Sequence, residues 1–311
     1  MRVVFMGSPD FAVPSLEALV EARFDVRLVV TQPDRPAGRG RHLLPTAVKA
    51  VALEHHLPVR EFGKGEHAAV SAEVLACEPD AVIVAAFGHI LREPLLSGPR
   101  YGCINVHASL LPRWRGVSPV QYSILHGDTW SGVTIMKMDA GVDTGAILGV
   151  RAVPIGPEDT AGELLDRLAG QGADLLLEVL RALPTGQVVP EAQDDSGAVY
   201  APKLTRALSA VRWDRDVVTV HNQVRALQPW PGCTTYLGEQ MLKITQARPM
   251  SLNPGSREPG TVLAVHDGGV VVACGQGALL LTGLQVPGKK PLPVAEFLRG
   301  FAIRAGDVLR S

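Results

Sequence analysis

Apolar runs without polar alternation recur through the first 190 residues, and helical patterns separate them. Residues 2–6, 26–31 and 81–86 are strand-like, whereas residues 11–22 and 66–77 carry apolar side chains at helical spacing. A strand whose residues are all apolar is typically buried on both faces, as in a parallel sheet that helices cover. Because strands that alternate with helices favour right-handed crossovers, the predicted fold class is α/β, with a doubly wound, mostly parallel, Rossmann-like sheet.

The last hundred residues have a different pattern of predicted secondary structure. A helical pattern at 216–227 is followed by short β-like runs that Gly, Pro and Asn separate, at residues 234–237, 241–246, 260–265, 269–274 and 278–284. Short strands with such turns predict a second, small β-barrel domain of the OB-like kind. Residues 184–202 between the two parts are rich in Pro, Gly, Asp and Gln. We therefore predict a first domain at 1–189, a linker at 190–205 and a barrel at 206–311.

Composition excludes several classes of protein. No apolar run approaches the roughly 20 residues that cross a bilayer, and residues 1–6 enter a strand directly instead of forming a cleavable leader, so we expect a cytoplasmic protein. The four cysteines are scattered, which favours buried free thiols over a metal site.

Residues 206–311 hold 12 Lys and Arg against 7 Asp and Glu, although the whole chain has a net charge of −1. A basic second domain would suit a polyanionic partner, but an ordinary solvated surface explains the charge equally well.

Three polar residues stand where predicted strands end. Asn105 and His107 are two apart at the end of the strand predicted at 102–107, so their side chains point to the same side. Asp143 follows the strand predicted at 132–138, and a doubly wound sheet would bring the two strand ends together. An amide, an imidazole and a carboxylate suit acyl transfer to an amine. Asn105 would donate to the oxyanion, His107 would donate or carry a proton, and Asp143 would orient or charge the ring.

Two alternatives to this site remain open from the residues alone. His107 could be a paired core histidine. Ser109 lies near His107 and could be the nucleophile of a hydrolase, although the chain has no Gly-x-Ser-x-Gly elbow.

Four segments carry a resemblance to a known family. Residues 105–116, Asn-Val-His-Ala-Ser-Leu-Leu-Pro-Arg-Trp-Arg-Gly, and residues 138–145, Met-Asp-Ala-Gly-Val-Asp-Thr-Gly, resemble the signature and the acidic loop of the folate-dependent formyltransferases that act on methionyl-tRNA. The core of the first motif is shared with formyltransferases of other substrates. Residues 31–41 are similar to an insertion of the tRNA-specific members, and residues 228–232, Gln-Pro-Trp-Pro-Gly, resemble their carboxyl-terminal domain.

The resemblance implies a formyltransferase-type fold and a set of site residues. Asn105, His107 and Asp143 would be catalytic, 10-formyltetrahydrofolate would be the formyl donor, and neither a metal nor a nicotinamide is implied. The residues that would lie against the reduced folate are Phe87, Gly88, His89, Ile90, Leu91, Ser109, Leu110, Leu111, Pro112, Asp139 and Gly141.

The resemblance also implies initiator methionyl-tRNA as the partner, in translation initiation. Cations of the insertion and of the second domain are the candidates for phosphate contacts: Arg35, Arg39, Arg41, His42, Lys49, Arg206, Lys243, Arg248, Lys289 and Lys290. The insertion is rich in Gly and Pro, so we expect it to be flexible until RNA binds. We expect no membrane partner and a monomer.

Two alternative functions use the same features. A formyltransferase of a small amine, such as an amino sugar or glycinamide ribonucleotide, would need the trio of Asn105, His107 and Asp143 but neither the basic insertion nor the basic second domain. A catalytically silent RNA-binding protein would need the basic surfaces but not the trio.

Overall fold

The computed structural model describes residues 1–37 and 42–311. The chain forms two compact units. Unit 1 comprises Met1–Pro119, Trp130–Pro154 and Leu165–Ala201, and unit 2 comprises Val120–Thr129, Ile155–Leu164 and Pro202–Ser311. Each unit therefore contains separated stretches of chain, and the functional boundaries predicted at 189 and 206 stay a prediction.

Unit 1 contains the α/β sheet predicted from the apolar runs. Its strands are β1 (Arg2–Gly7), β2 (Asp25–Thr31), β3 (Arg35–Ala37), β4 (His42–Leu44), β5 (Val59–Glu61), β6 (Ala81–Ala85), β7 (Cys103–His107), β8 (Arg115–Gly116), β9 (Trp130–Lys137), β10 (Ile147–Pro154) and β11 (Tyr200–Ala201). Helices in the first two-thirds of the chain are α1 (Val13–Glu21), α2 (Ala47–Glu54), α3 (His67–Ala76), α4 (Pro119–Leu125) and α5 (Ala161–Ala182).

The main sheet has the order β10-β9-β7-β6-β1-β2-β5. The five strands from β7 to β5 are parallel, and β9 and β10 are antiparallel to their neighbours. All five residues of β6 are buried, as expected for a central strand with helices on both faces. The mostly parallel α/β class is confirmed.

Strand β9 is antiparallel to β7, so the prediction that the two strand ends meet at the site is wrong. His107 of β7 pairs with Thr134 of β9, and Ile104 pairs with Lys137. The carboxyl end of β9 therefore lies at the amino end of β7, and the two strand ends do not meet. The loop after Lys137 must instead turn back toward His107 to bring Asp143 there, which a purely parallel sheet would not require.

The predicted insertion is partly ordered by pairing at its base. Arg35 pairs with Leu44 in a short antiparallel ladder of β3 and β4, where the sequence predicted only a flexible loop. Lys49, at the start of α2, forms ion pairs with Asp34 at 2.8 Å and with Glu61 at 2.5 Å. Arg39, Arg41 and the side chain of His42, all predicted to contact RNA, lie outside the described residues.

The segment predicted as a linker is partly built into unit 1. Glu191 forms a bridge with Ile147, and β11 pairs in parallel with β8. The approach is close at Gly116, which has φ = +115° and whose added Cβ would lie 2.6 Å from the Ala201 carbonyl oxygen. Only glycine fits there, because any side chain would push β11 away.

Unit 2 is the β domain expected from the short runs of the last hundred residues. Its elements are α6 (Val217–Ala226), β12 (Cys233–Leu237), β13 (Gln240–Met250), β14 (Val262–His266), β15 (Gly269–Ala273), β16 (Ala278–Gln285), β17 (Leu292–Pro293), α7 (Val294–Phe297) and β18 (Leu309–Arg310). The antiparallel sheet has the order β14-β15-β16-β13-β12-β18 and curls into a half-barrel, which confirms the predicted barrel-like domain. Asp216 caps α6 by accepting from the amides of Val218 and Thr219.

Candidate active site

The site is built at the carboxyl end of β7. Asn105 and His107 are 9% and 6% exposed, and they share one side of the strand because they are two residues apart. A buried amide and a buried imidazole are costly unless they find partners. Their position at this edge of the sheet is the usual place for a ligand of a doubly wound fold.

Hydrogen bonding fixes which nitrogen of His107 faces the site. Its Nε2 lies 3.0 Å from the Trp114 carbonyl oxygen, which can only accept, so Nε2 carries a hydrogen. In the neutral ring Nδ1 is therefore an acceptor. Nδ1 lies 3.7 Å from Asp143 Oδ2, which is beyond the length of a strong hydrogen bond. His107 is thus a base through Nδ1, and it can donate from Nδ1 only after it has taken up a proton.

Asp143 is held in a constrained position. Its φ is +55°, a left-handed value that non-glycine residues rarely adopt, and its Oδ2 accepts a hydrogen bond from the Gly116 amide at 2.8 Å. Two residues later, a side chain at Gly145 would overlap the Lys137 carbonyl. The loop from 139 to 145 is therefore closely packed, and its tightness sets the direction of the Asp143 carboxylate.

Ser109 has a structural role. Its hydroxyl donates to the Arg113 carbonyl oxygen at 2.7 Å, so its proton is directed at the backbone and not at an imidazole. The backbone of Ser109 is held in turn by Thr134, whose hydroxyl donates to the Ser109 carbonyl oxygen at 2.7 Å. These bonds shape the loop that supplies the Trp114 carbonyl to His107. The geometry does not favour a serine nucleophile.

A buried arginine and an amide from the supposed linker were not predicted from the sequence. Arg115 is 2% exposed, and its Nε and Nη2 donate to Gln193 Oε1 at 3.0 and 2.9 Å. Gln193 in turn donates to the carbonyl oxygens of Asp143 and Gly145, both at 2.8 Å. No local pattern marks Gln193, since it stands in a polar, irregular stretch. The only sequence signal for Arg115 was its place between a tryptophan and a glycine. An exposed arginine that binds RNA could equally stand in that context.

An aromatic cluster lines the segment predicted to hold the pterin. The His89 ring is stacked on Phe62 with ring centres 4.3 Å apart, and Phe87 lies 5.2 Å from His89. The Phe87 carbonyl oxygen accepts from the Gln32 side chain at 2.9 Å. Ile90 is 68% exposed, whereas Leu91 is buried. Phe62 was not predicted, because it lies outside the recognised motifs, and Gln32 was not, because the segment 31–41 that contains it was assigned to RNA.

The remaining predicted folate contacts fall into two groups. Leu111 is buried and its amide donates to the Thr134 hydroxyl at 3.2 Å, and Leu110, Pro112 and Gly88 lie in the adjoining loops. The Asp139 carboxylate accepts from the Gly141 amide at 3.0 Å and from the Thr144 hydroxyl at 2.7 Å. Asp139 and Gly141 therefore shape the loop that holds Asp143, whether or not they also touch a ligand.

Replacing His89 with glutamine is expected to weaken the dependence of stability on pH. Burial lowers the pKa of the His89 imidazole below its ordinary value of 6.5, and the charges of His67 and Arg35 act in the same direction. The folded state thus prefers neutral His89, so its contribution to stability is present above pH 6.5 and is lost as the pH falls toward the lowered pKa.

Urea unfolding at pH 7.5 and pH 5.5 measures this effect. The midpoint of unfolding should fall less in His89→Gln than in the wild type, and the exposed control His55→Gln should behave like the wild type. An equal fall in all three proteins would contradict a neutral, partly buried His89.

The predicted RNA contacts that the structure describes have different surroundings. Arg35 donates to Gln32 Oε1 at 2.5 Å, and Lys49 is neutralised by Asp34 and Glu61. In unit 2, Arg206, Lys289 and Lys290 are exposed and Lys243 is half-buried, whereas Arg248 lies 3.8 Å from Glu158. The role of these cations in RNA binding stays a prediction.

Metal sites and membrane spans are both absent from the described residues, 1–37 and 42–311. No group of three or more His, Cys, Asp or Glu side chains is placed there to hold a metal ion. Within the same residues no helix has the length and apolarity needed to cross a membrane.

Fold and site together define a class of protein. A doubly wound sheet that presents an amide, an imidazole and a carboxylate, with its nearest serine turned toward the backbone, is typical of enzymes that move an acyl group directly between two bound substrates. The chain belongs to the formyltransferase family: the family described as Formyl transferase matches residues 1–180, and the one described as Formyl transferase, C-terminal domain, matches residues 203–302.

Curated relatives match along the whole chain. The methionyl-tRNA formyltransferase of Aromatoleum aromaticum is 48% identical over 307 residues, which cover 99% of this chain and 96% of that protein. The methionyl-tRNA formyltransferase of Pseudomonas paraeruginosa is 47% identical over 311 residues, with 99% of each protein covered.

Solved structures share the fold at low identity. An N-formyltransferase from Helicobacter canadensis, solved with folinic acid and dTDP-3-aminofucose, superposes with a TM-score of 0.69 at 19% identity and covers 90% of this chain and 98% of its own. HypX from Aquifex aeolicus, solved with tetrahydrofolic acid, gives a TM-score of 0.63 at 19% identity over 100% of this chain and 51% of its own.

Proposed function

We propose that this enzyme transfers the formyl group of 10-formyltetrahydrofolate to the α-amino group of methionine esterified to initiator tRNA, in the cytoplasm and as a monomer. The observation that best supports this reaction is the distance of 3.7 Å between His107 Nδ1 and Asp143 Oδ2. Asn105 lies on the same side of β7 as His107. The choice of acceptor is supported by relatives of 45–48% identity over 99% of the chain, which are methionyl-tRNA formyltransferases.

Each side chain of the site has a step in the proposed reaction. The amine nitrogen attacks the formyl carbon, so a new C–N bond forms and the carbonyl oxygen gains negative charge that the Asn105 amide stabilises by donation. His107 accepts the proton that the amine releases at Nδ1, because Nε2 is already bound to the Trp114 carbonyl. Asp143 stabilises the imidazolium. The bond from the formyl carbon to N10 of the folate then breaks, and N10 takes a proton from His107 directly or through water.

A comparison of three amines tests this proposal. The purified protein would be given 10-formyltetrahydrofolate with methionyl initiator tRNA, with glycinamide ribonucleotide or with a nucleotide-linked amino sugar. Formylated methionyl ester is the expected product. Transfer to a small amine alone would overturn the proposed acceptor, and transfer to none of the three would favour a silent RNA-binding protein.

Removing two arginines of the insertion is expected to weaken tRNA binding without affecting folate binding. Each phosphate that a side chain no longer neutralises lowers the steepness of the plot of log affinity against log salt by about 0.9. Arg39→Ala/Arg41→Ala should therefore reduce that slope by about 2 if both side chains bind phosphates.

The matched control is Arg27→Ala/Lys64→Ala, which removes the same charge from elsewhere on unit 1. Filter-binding titrations with charged initiator tRNA at several salt concentrations give the slopes. Equal slopes for the wild type and both double variants would exclude the insertion from RNA binding, and would leave the catalytic assignment untouched.

A further inference from the structure

A single glutamine joins the buried arginine of unit 1 to the loop that carries Asp143. Gln193 uses the full capacity of its amide: Oε1 accepts from Arg115 Nε and Nη2, and Nε2 donates to the carbonyl oxygens of Asp143 and Gly145. This pattern fixes the orientation of the amide, because a flipped amide would set its oxygen against two carbonyl oxygens and its donors against a guanidinium.

The arginine needs this partner. A guanidinium that is 2% exposed is costly unless it is hydrogen-bonded. Its acidic partner, Asp195 at 2.7 Å, has a side chain that is 82% exposed, so water screens much of that attraction. Tyr200 also hydrogen-bonds the guanidinium, but it is exposed as well. The half-buried side-chain oxygen of Gln193 is therefore the least exposed of the three acceptors.

Asp143 is held by hydrogen bonds at both its backbone and its side chain. Its carbonyl oxygen is bound by Gln193, which Arg115 holds, and its carboxylate accepts from the amide of Gly116, the next residue along the chain. Asp143 is kept at φ = +55°, a conformation that relaxes unless its surroundings hold it. The carboxylate and His107 are 3.7 Å apart, so a small relaxation would separate them.

We propose that Gln193 and Arg115 are positioning residues that hold the Asp143 carboxylate against His107, so that the supposed linker completes the active site. These hydrogen bonds join Arg115, Asp143 and Gln193, which come from stretches far apart in sequence and all lie in unit 1. Gln193 and Asp195 also line a cavity of about 440 Å³ beside this loop, together with Thr144 and Gly145. The effect on rate rests on the proposed function, whereas the geometric part of the proposal does not.

Gln193→Glu is the sharpest substitution. It keeps the size and the acceptor for Arg115 but replaces the two donors with an oxygen that repels the carbonyls of Asp143 and Gly145. Gln187→Glu, at an exposed position of the same segment, adds the same charge and serves as the control.

Amide hydrogen exchange of Gly116, followed by NMR, tests the geometry without any substrate. The Gly116 amide donates to Asp143 Oδ2, whereas the flanking amides of Arg115 and Val117 donate to the carbonyls of Val199 and Ala201. In Gln193→Glu the exchange of Gly116 should accelerate by tenfold or more relative to those two neighbours. Unchanged exchange at Gly116, or equal acceleration at all three amides, would overturn the proposal, the latter because it would mean general loosening.

A double-mutant cycle tests the consequence for rate. Single-turnover transfer should slow about tenfold in Gln193→Glu, since partners that orient a functional side chain typically contribute about 10- to 100-fold. The same substitution in an Asp143→Asn background should cost less than about twofold, because the carboxylate through which Gln193 acts is already absent.

Equal losses in both backgrounds would show that Gln193 acts independently of Asp143 and would overturn its positioning role. If the wild type transfers no formyl group while Gly116 exchange responds as expected, the proposed function fails and the hydrogen-bonded arrangement stands.

Discussion

Replacing Asn105 with alanine is expected to lower the rate of formyl transfer by a hundredfold or more while the affinity for charged tRNA stays within about twofold. One preorganised donor to an oxyanion contributes about 3 kcal/mol, roughly a hundredfold to a thousandfold in rate. Asn105 is nearly buried on the side of β7 that presents His107, so its amide is shielded from competing water. Single-turnover transfer from 10-formyltetrahydrofolate to methionyl-tRNA measures the effect on the chemical step.

The matched control for Asn105→Ala is Asn253→Ala, the same substitution at an exposed turn of unit 2. It should transfer at the wild-type rate. A wild-type rate in Asn105→Ala, with normal folding, would remove the oxyanion donor from the mechanism. A loss that appears entirely as weaker folate binding would assign Asn105 to binding instead.

The second large effect is expected from Asp143→Asn, at about a hundredfold loss in single-turnover rate. The asparagine oxygen can still accept from the Gly116 amide, as Asp143 Oδ2 does at 2.8 Å, so the loop keeps its geometry. The negative charge beside His107 Nδ1 is lost, so the proton that the ring accepts in the proposed step has no counter-charge, and general base catalysis typically contributes about 10²- to 10⁴-fold.

Asp174→Asn, which removes an exposed carboxylate from α5, is the control for the change of charge. It should leave the rate unaffected. If Asp143→Asn retained most of its activity, the carboxylate would have only the structural role of binding Gly116, and the proton would have to leave through solvent.

Much of the fold was predictable because its signals are local. The all-apolar run at Ala81–Ala85 is a central strand, and the short runs after Arg206 form the second sheet. Asn105 and His107 were also accessible from sequence, since two polar residues at spacing two share one side of a strand. These inferences need only the periodicity of neighbouring residues.

What could not be predicted depends on contacts between distant segments. Strand β9 is antiparallel to β7, so Asp143 reaches His107 by a loop that turns back and not by the meeting of strand ends. Arg115 and Gln193 are 78 residues apart, and nothing near Gln193 distinguishes it from a solvated linker. The ion pairs of Lys49 with Asp34 and Glu61 could not be predicted either, and its contact with RNA, which the resemblance implies, stays a prediction.

The position of a bound formyl group is the most direct test of the catalytic arrangement. A crystal structure of the enzyme with a stable 10-formyl folate analogue would locate it. The formyl oxygen should lie about 3 Å from the Asn105 amide nitrogen, with His107 Nδ1 and the Asp143 carboxylate beside the formyl carbon. A folate bound with its formyl group well away from these three side chains, beyond the reach of a hydrogen bond or one bridging water, would contradict the mechanism.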